Sequence, residues 1–203
     1  MSKQVKSAAL AILLCLGGCA APEVLESRSG AVPEGVDLSG NWRIRTDSSA
    51  SQRRVREAVR KTDGIKDDEY FRDANRQQSG ARGGSQSRRS NSKGGLVHVF
   101  LELGRSLKVT QTVDGLFISF DRSVVEEFRF GENRVVSVGE VQAQRVTGWD
   151  NDTLIVETLD RNSMKLTDRF RLLEGGTLLE RSIEFRSKSK ERESVTQLFD
   201  KVN

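Results

Sequence analysis

From Leu107 onward the chain is a succession of short stretches in which apolar and polar residues alternate, separated by turn residues roughly every ten positions. Such alternation puts every second side chain on one face, so each stretch reads as a strand with one buried side. The stretches span 107–113, 116–120, 124–130, 134–138, 141–149, 153–159, 165–173, 177–186 and 193–202. Asp114-Gly115, Gly131-Glu132-Asn133, Asp150-Asn151-Asp152 and Glu174-Gly175-Gly176 break them. Asp-Gly is a favoured hairpin dipeptide because glycine tolerates positive φ. Nothing of helix length lies between the strands, which excludes the crossovers that parallel pairing needs. An antiparallel up-and-down meander remains, either a barrel or a strongly curved sheet. Residues 96–103 are apolar at nearly every position and suit a strand or a short helix equally.

Parity within the stretches divides the side chains. Leu107, Val109, Val113, Ile118, Phe128, Phe130, Leu154, Val156, Leu166, Phe170, Leu172, Ile183, Phe185 and Phe199 fall inward. Lys108, Glu127, Arg129, Arg169, Arg171, Glu180 and Glu184 fall outward as a solvated face of mixed charge. Ahead of the meander, Leu38, Trp42 and Ile44 share a parity and open the domain with a strand. The composition, 35% hydrophobic and 31% charged with nine Phe and two Trp, suffices for one modest core. The single β-domain is therefore expected over residues 37–203, with 49–95 as an insertion after the first strand. Val55, Ala58 and Val59 have helical spacing there, and the Ser/Gly/Gln-rich remainder has too little to bury to fold.

The N-terminus has a different logic. Lys3 and Lys6 precede an apolar run from Ala8 to Leu16, and Gly17-Gly18-Cys19 follows. A basic start, an apolar run of about ten residues and a small-residue exit have the form of a secretory signal peptide, here 1–18. Leu16-Gly17-Gly18-Cys19 resembles the lipobox of bacterial lipoproteins. That resemblance implies cleavage before Cys19 and attachment of acyl chains such as palmitate to its thiol. Ala20 stands where the inner-membrane retention signal of that family is usually Asp, so the resemblance implies the outer membrane, facing the periplasm. Buried acyl chains, at about 0.8 kcal/mol per CH₂, make such an anchor stable. Cys15 would leave with the signal, so the mature chain has no free thiol and no disulfide. Residues 19–36, with Pro22, Gly30, Pro33 and Gly35, read as a flexible tether.

Leu38-Ser39-Gly40-Asn41-Trp42 resembles the Gly-x-Trp opening of lipocalin-like barrels, in which the Trp plugs one end. Lipocalins pair that Trp with an Arg from a late strand, a role the resemblance offers to Arg181 or Arg186. Residues 148–158 with Thr167-Asp168-Arg169-Phe170 resemble a recurrent hairpin of bacterial secreted proteins and lipoproteins without assigned activity. The resemblance spans residues 37–202 and implies fold and compartment only.

Chemistry is sparse. His98 is the one histidine, it sits in an apolar run, and no Gly-x-Ser-x-Gly elbow accompanies it, so a packed or surface imidazole is its expected role. Adjacent Glu126 and Glu127 point to opposite faces of a strand, while Asp150 and Asp152 belong to a turn. No cofactor, no metal and no catalysis are expected. Two binding readings remain. The first is a small apolar or amphipathic ligand inside the barrel, held by Trp42, Trp149, Phe128 and Phe170. The second uses the insertion, where residues 76–93 hold five bases and no acid. Arg82, Arg88, Arg89 and Lys93 would dock there on an anionic envelope polymer by counterion release. No aromatic residue interleaves them, so nucleic acid is not an expected partner.

Overall fold

The computed structural model describes residues 22–45, 48–63 and 97–202. Its strands are β1 (Gly40–Ile44), β2 (Ser106–Gln111), β3 (Gly115–Phe120), β4 (Val124–Arg129), β5 (Asn133–Val138), β6 (Val141–Asp150), β7 (Thr153–Asp160), β8 (Lys165–Leu173), β9 (Leu178–Arg186) and β10 (Arg192–Val202). They form one 10-stranded sheet in the order β4-β3-β2-β1-β10-β9-β8-β7-β6-β5, antiparallel throughout. The meander expected from alternation is the observed fold. Pairing of β1 with β10 places the first and last strands in the middle of the sheet. Consecutive strands β4 and β5 are consequently its two edges.

The sheet curls until these edges approach each other without pairing. Arg145 on β6 reaches Glu126 on β4 at 3.1 Å, and Arg134 on β5 donates to the Glu127 carbonyl at 3.4 Å. The result is a strongly curved half-barrel with a seam bridged by side chains. Inside, two apolar clusters form. One gathers Leu38, Trp42, Val109, Ile118, Phe128, Trp149, Leu154, Phe170 and Phe199. The other sets Val55, Ala58 and Val59 of the helix α1 (Ser48–Asp63) against Leu166, Ile183, Phe185 and Val195. This helix is the helical part of the expected insertion. Residues 64–96 lie outside the described residues.

Two local expectations change and one is narrowed. Of the strand and the short helix left open for 96–103, the structure has the helical one, a single 3₁₀ turn at Val97–Phe100 followed by irregular chain to Arg105. Val113 is 81% exposed because β2 ends at Gln111 and Val113 belongs to the turn. Gly115 is needed for close approach rather than positive φ: a Cβ there would lie 2.6 Å from the Phe128 carbonyl oxygen.

The largest difference concerns the expected tether at 19–36. Its described part, from Pro22 on, is a strap that crosses the outer face of β6 and β7 as far as Ser29, after which Val32 and Val36 pack against the Trp42 cluster. Leu25 is buried with Val146 and Leu159, and its N–H donates to Gln144 at 2.9 Å. Arg28 pairs with Glu157 at 2.6 Å, and Ser29 bridges the Trp149 backbone. Gly148 makes the crossing possible, since a Cβ there would stand 2.5 Å from the Ser29 carbonyl oxygen. Glu157 is also held by Lys165 at 2.8 Å. Burial alone would raise its carboxyl pKa, but the hydrogen bonds from Lys165 and Arg28 hold it below the ordinary value.

Candidate functional site

The inward faces of β6, β8 and β9 are not uniformly apolar. On β9, Leu179, Ile183 and Phe185 point inward with Arg181 between them. On β8, Asp168 interrupts Leu166 and Phe170; on β6, Arg145 lies between Ala143 and Trp149. These interruptions form a polar belt between the two apolar clusters.

The belt is tightly made. Arg181, 1% exposed, grips Asp168 in a fork, with Nε donating at 3.0 Å and Nη2 at 2.5 Å. Its guanidinium also lies over the rings of Phe120 and Phe170, 5.2 and 5.3 Å from their centroids. Arg145 donates to Glu126 and, from Nε, to the Thr158 hydroxyl at 3.3 Å. It lies 5.6 Å from the centroids of both Phe100 and Phe128. Each cation is therefore sandwiched by aromatic faces and anchored by one carboxylate. A planar, weakly hydrated guanidinium suits such a place better than an ammonium.

One donor in the belt is left over. Arg181 Nη1 is buried and has no hydrogen-bond partner among the described residues. A buried donor without a partner costs about 1–3 kcal/mol. Arg181 lines a space of about 10 Å³ together with Phe100, Glu102, Phe120, Glu126, Phe128, Arg145 and Asp168. That is room for about one water molecule. Glu102 closes this space from the segment after the 3₁₀ turn. Burial first, and the nearby Glu126 second, raise its pKa, with Arg181 opposing.

The four aromatic residues expected to hold a ligand all belong to the cluster beside the belt. Trp42 is wholly buried and donates to the Leu38 carbonyl at 3.1 Å. Trp149 meets Phe130 edge to face, with centroids 5.3 Å apart. Phe128 and Phe170 face the two belt arginines. Neither arginine offered as a partner of Trp42 serves it: Arg181 lies in the belt, Arg186 pairs with Glu23 on the outer face, and Lys201 lies over the indole. Of the two glutamates, Glu126 faces the belt and Glu127 is exposed with Arg129. Asp150 and Asp152 hold their own turn, accepting from Asn151 and Thr153.

Cys19, Arg82, Arg88, Arg89 and Lys93 lie outside the described residues, as does the side chain of His98. Behind Trp42, on the outer face of β1–β3, runs an open groove of about 300 Å³ lined by Asn41, Arg43, Lys108, Ser119 and Arg122. The belt itself went unread in the sequence. Its signal was nonetheless present, as charged residues standing at inward parity inside otherwise apolar rows.

No family model and no curated protein matches the chain. Solved structures are similar to it in outline. One is secretory abundant heat soluble protein 4 from Ramazzottius varieornatus, at 15% identity and a TM-score of 0.48, covering 83% of this chain and 97% of that one. Another is the REP1-NXSQ fatty acid transporter, at 11% identity and a TM-score of 0.43, covering 82% and 97%.

Proposed function

We propose that this chain is a non-catalytic, lipid-anchored binding protein of the bacterial cell envelope, whose half-barrel takes an amphipathic ligand with an anionic head. The observation that carries this reading is Arg181 Nη1, a buried donor on the wall of the interior space with no partner among the described residues. A carboxylate or phosphate oxygen satisfies such a donor, and the phenylalanines around it suit an alkyl chain. The space is too small as it stands, so entry requires the side-chain-bridged seam between β4 and β6 to part. Among the described residues no strand ladder pairs β4 with β5 or β6, and the backbone bonds of Gly131 and Glu132 to Thr147 hold only one end of the seam. Asp168 and Glu126 are each engaged by an arginine, which favours binding over acid–base work.

Titration with a long-chain fatty acid, an alkyl phosphate and the alcohol of equal chain length, followed by tryptophan fluorescence, tests the reading. Saturable responses to both anions and a much weaker one to the alcohol are expected. Equal responses to all three, or none, would contradict it.

The lipobox-like residues support the location, an anchor at Cys19 in the outer membrane facing the periplasm. Incorporation of labelled palmitate, abolished by Cys19→Ser, is the expected result. A second reading, docking of Arg82, Arg88, Arg89 and Lys93 on an anionic envelope polymer, is favoured by the acid-free run at 76–93. It requires binding that weakens steeply with salt and disappears when these four become Gln.

A further inference from the structure

The strap determines where an anchor leaves the domain. Its earliest ion pairs are made by Glu23, which pairs with Arg186 and lies 3.9 Å from Lys165. Those two residues stand at the end of β9 and the start of β8. Glu23 is four positions along from Cys19, with three residues between them, a reach of roughly 14 Å even when fully extended. Because the strap is docked through Leu25, Arg28 and Ser29, the slack of the whole 19–36 span is not available to lift the domain away.

An up-and-down sheet sends successive turns to opposite ends, and here the two ends differ in charge. At the anchor end, Arg161 occupies the turn between β7 and β8, and Lys188 and Lys190 the turn between β9 and β10; all three are exposed. Among the described residues Lys188 and Lys190 make no ion pair, and Arg161 donates only to Gln142. Residues 186–192 carry four cations and one acid, Glu191. The other acids in the turns of this end are Glu140, between β5 and β6, and Asp121, between β3 and β4, where Arg122 stands beside it. Nearby Glu193 and Glu184 are occupied by Lys61 and by Arg169 and Arg192. At the far end the turns carry Asp114, Glu132, Asp152 and Glu174, with Asp150 at the end of β6; Glu132 and Glu174 are paired with Arg134 and Arg45.

We propose that the end bearing Arg161, Lys188 and Lys190 rests on the anionic phospholipid headgroups of the membrane that holds the anchor, with the acidic end turned away. The inference depends on the lipid anchor at Cys19. Without that anchor nothing brings this end to a bilayer; with it, a short leash and a charge gradient act in the same direction. The cations lie within a Debye length of about 8 Å of a surface they touch, so their attraction survives physiological salt and fades above it.

The test uses the lipidated full chain in vesicles containing phosphatidylglycerol. Once Cys19 is acylated and Cys15 removed with the signal, a thiol introduced by Ser189→Cys or Asn151→Cys is the sole site for a fluorescent label. Nitroxide-bearing lipids should quench the label at 189 several-fold more than the label at 151. Arg161→Glu/Lys188→Glu/Lys190→Glu, or high salt, should abolish that difference while the chain still floats with the vesicles. Equal quenching at both sites, or a difference indifferent to charge reversal, overturns the inference. Failure to float, with an unmodified Cys19 by mass, overturns the anchor instead.

Discussion

The two halves of the interior are built on opposite principles. Around Trp42 the cluster is dry: Trp42, Leu116, Ile118, Leu154, Leu179 and Phe199 are all completely buried, and the indole N–H is satisfied by Leu38. A few strands away, Arg145 and Arg181 are almost as deeply buried, yet they are charged. An apolar cluster needs only close packing, whereas buried ions repay their desolvation only when every partner is in place. A fold that needed stability alone would fill both halves alike. The proposed function puts the anionic head of the ligand at the belt for that reason.

Substitutions can break that comparison at either end. In the dry half, Trp42→Ala should cost about 3–5 kcal/mol by denaturant unfolding, with no recovery by any added anion. In the belt, Asp168→Leu leaves Arg181 buried and unpaired, at a cost of about 3–5 kcal/mol. The double change Asp168→Leu/Arg181→Leu should restore most of that stability while removing anion binding. If the double variant binds as before, the belt is structural only.

Smaller effects sharpen the role of the strap. Gly148→Ala places a methyl group against the Ser29 carbonyl and should cost about 1–3 kcal/mol. Increased proteolysis between residues 22 and 31 would report the released strap. Glu157 predicts a pH dependence. Its folded-state pKa is depressed, so its contribution is present above the ordinary value of 4.5 and lost as pH falls through the lower folded value. Strap protection against hydrogen exchange should therefore hold at neutral pH and fail in that acid range; protection indifferent to acid would remove the ion pair from the account.

How much of this was legible follows from the same physics. Alternation announces strands wherever one face is wet and the other dry, which is why β6 to β10 coincide closely with the stretches read from sequence. The strap has no periodicity to read, and its proline and glycine content suggested a free tether. Its trace lay in β7 instead, where Leu154, Ile155, Val156 and Leu159 are apolar on both parities, the mark of a strand covered on both faces. The belt was hidden by the habit of assigning charge to solvent. Following parity through Leu179-x-Arg181-x-Ile183 or Leu166-x-Asp168-x-Phe170 exposes it, because a turn of the side chain outward would break the strand's register. The aromatic residues were found on the correct face, but the arginines they enclose were not.

The central claim rests on one guanidinium. Arginine side-chain N–H resonances of the folded chain, followed through a titration with a long-chain fatty acid, test it most directly. The account predicts that Arg181 shifts in saturable fashion, Arg145 moves with it as the seam adjusts, and Arg43 and Arg122 on the outer groove stay in place. Shifts confined to surface arginines, with Arg181 unmoved at saturation, would contradict it.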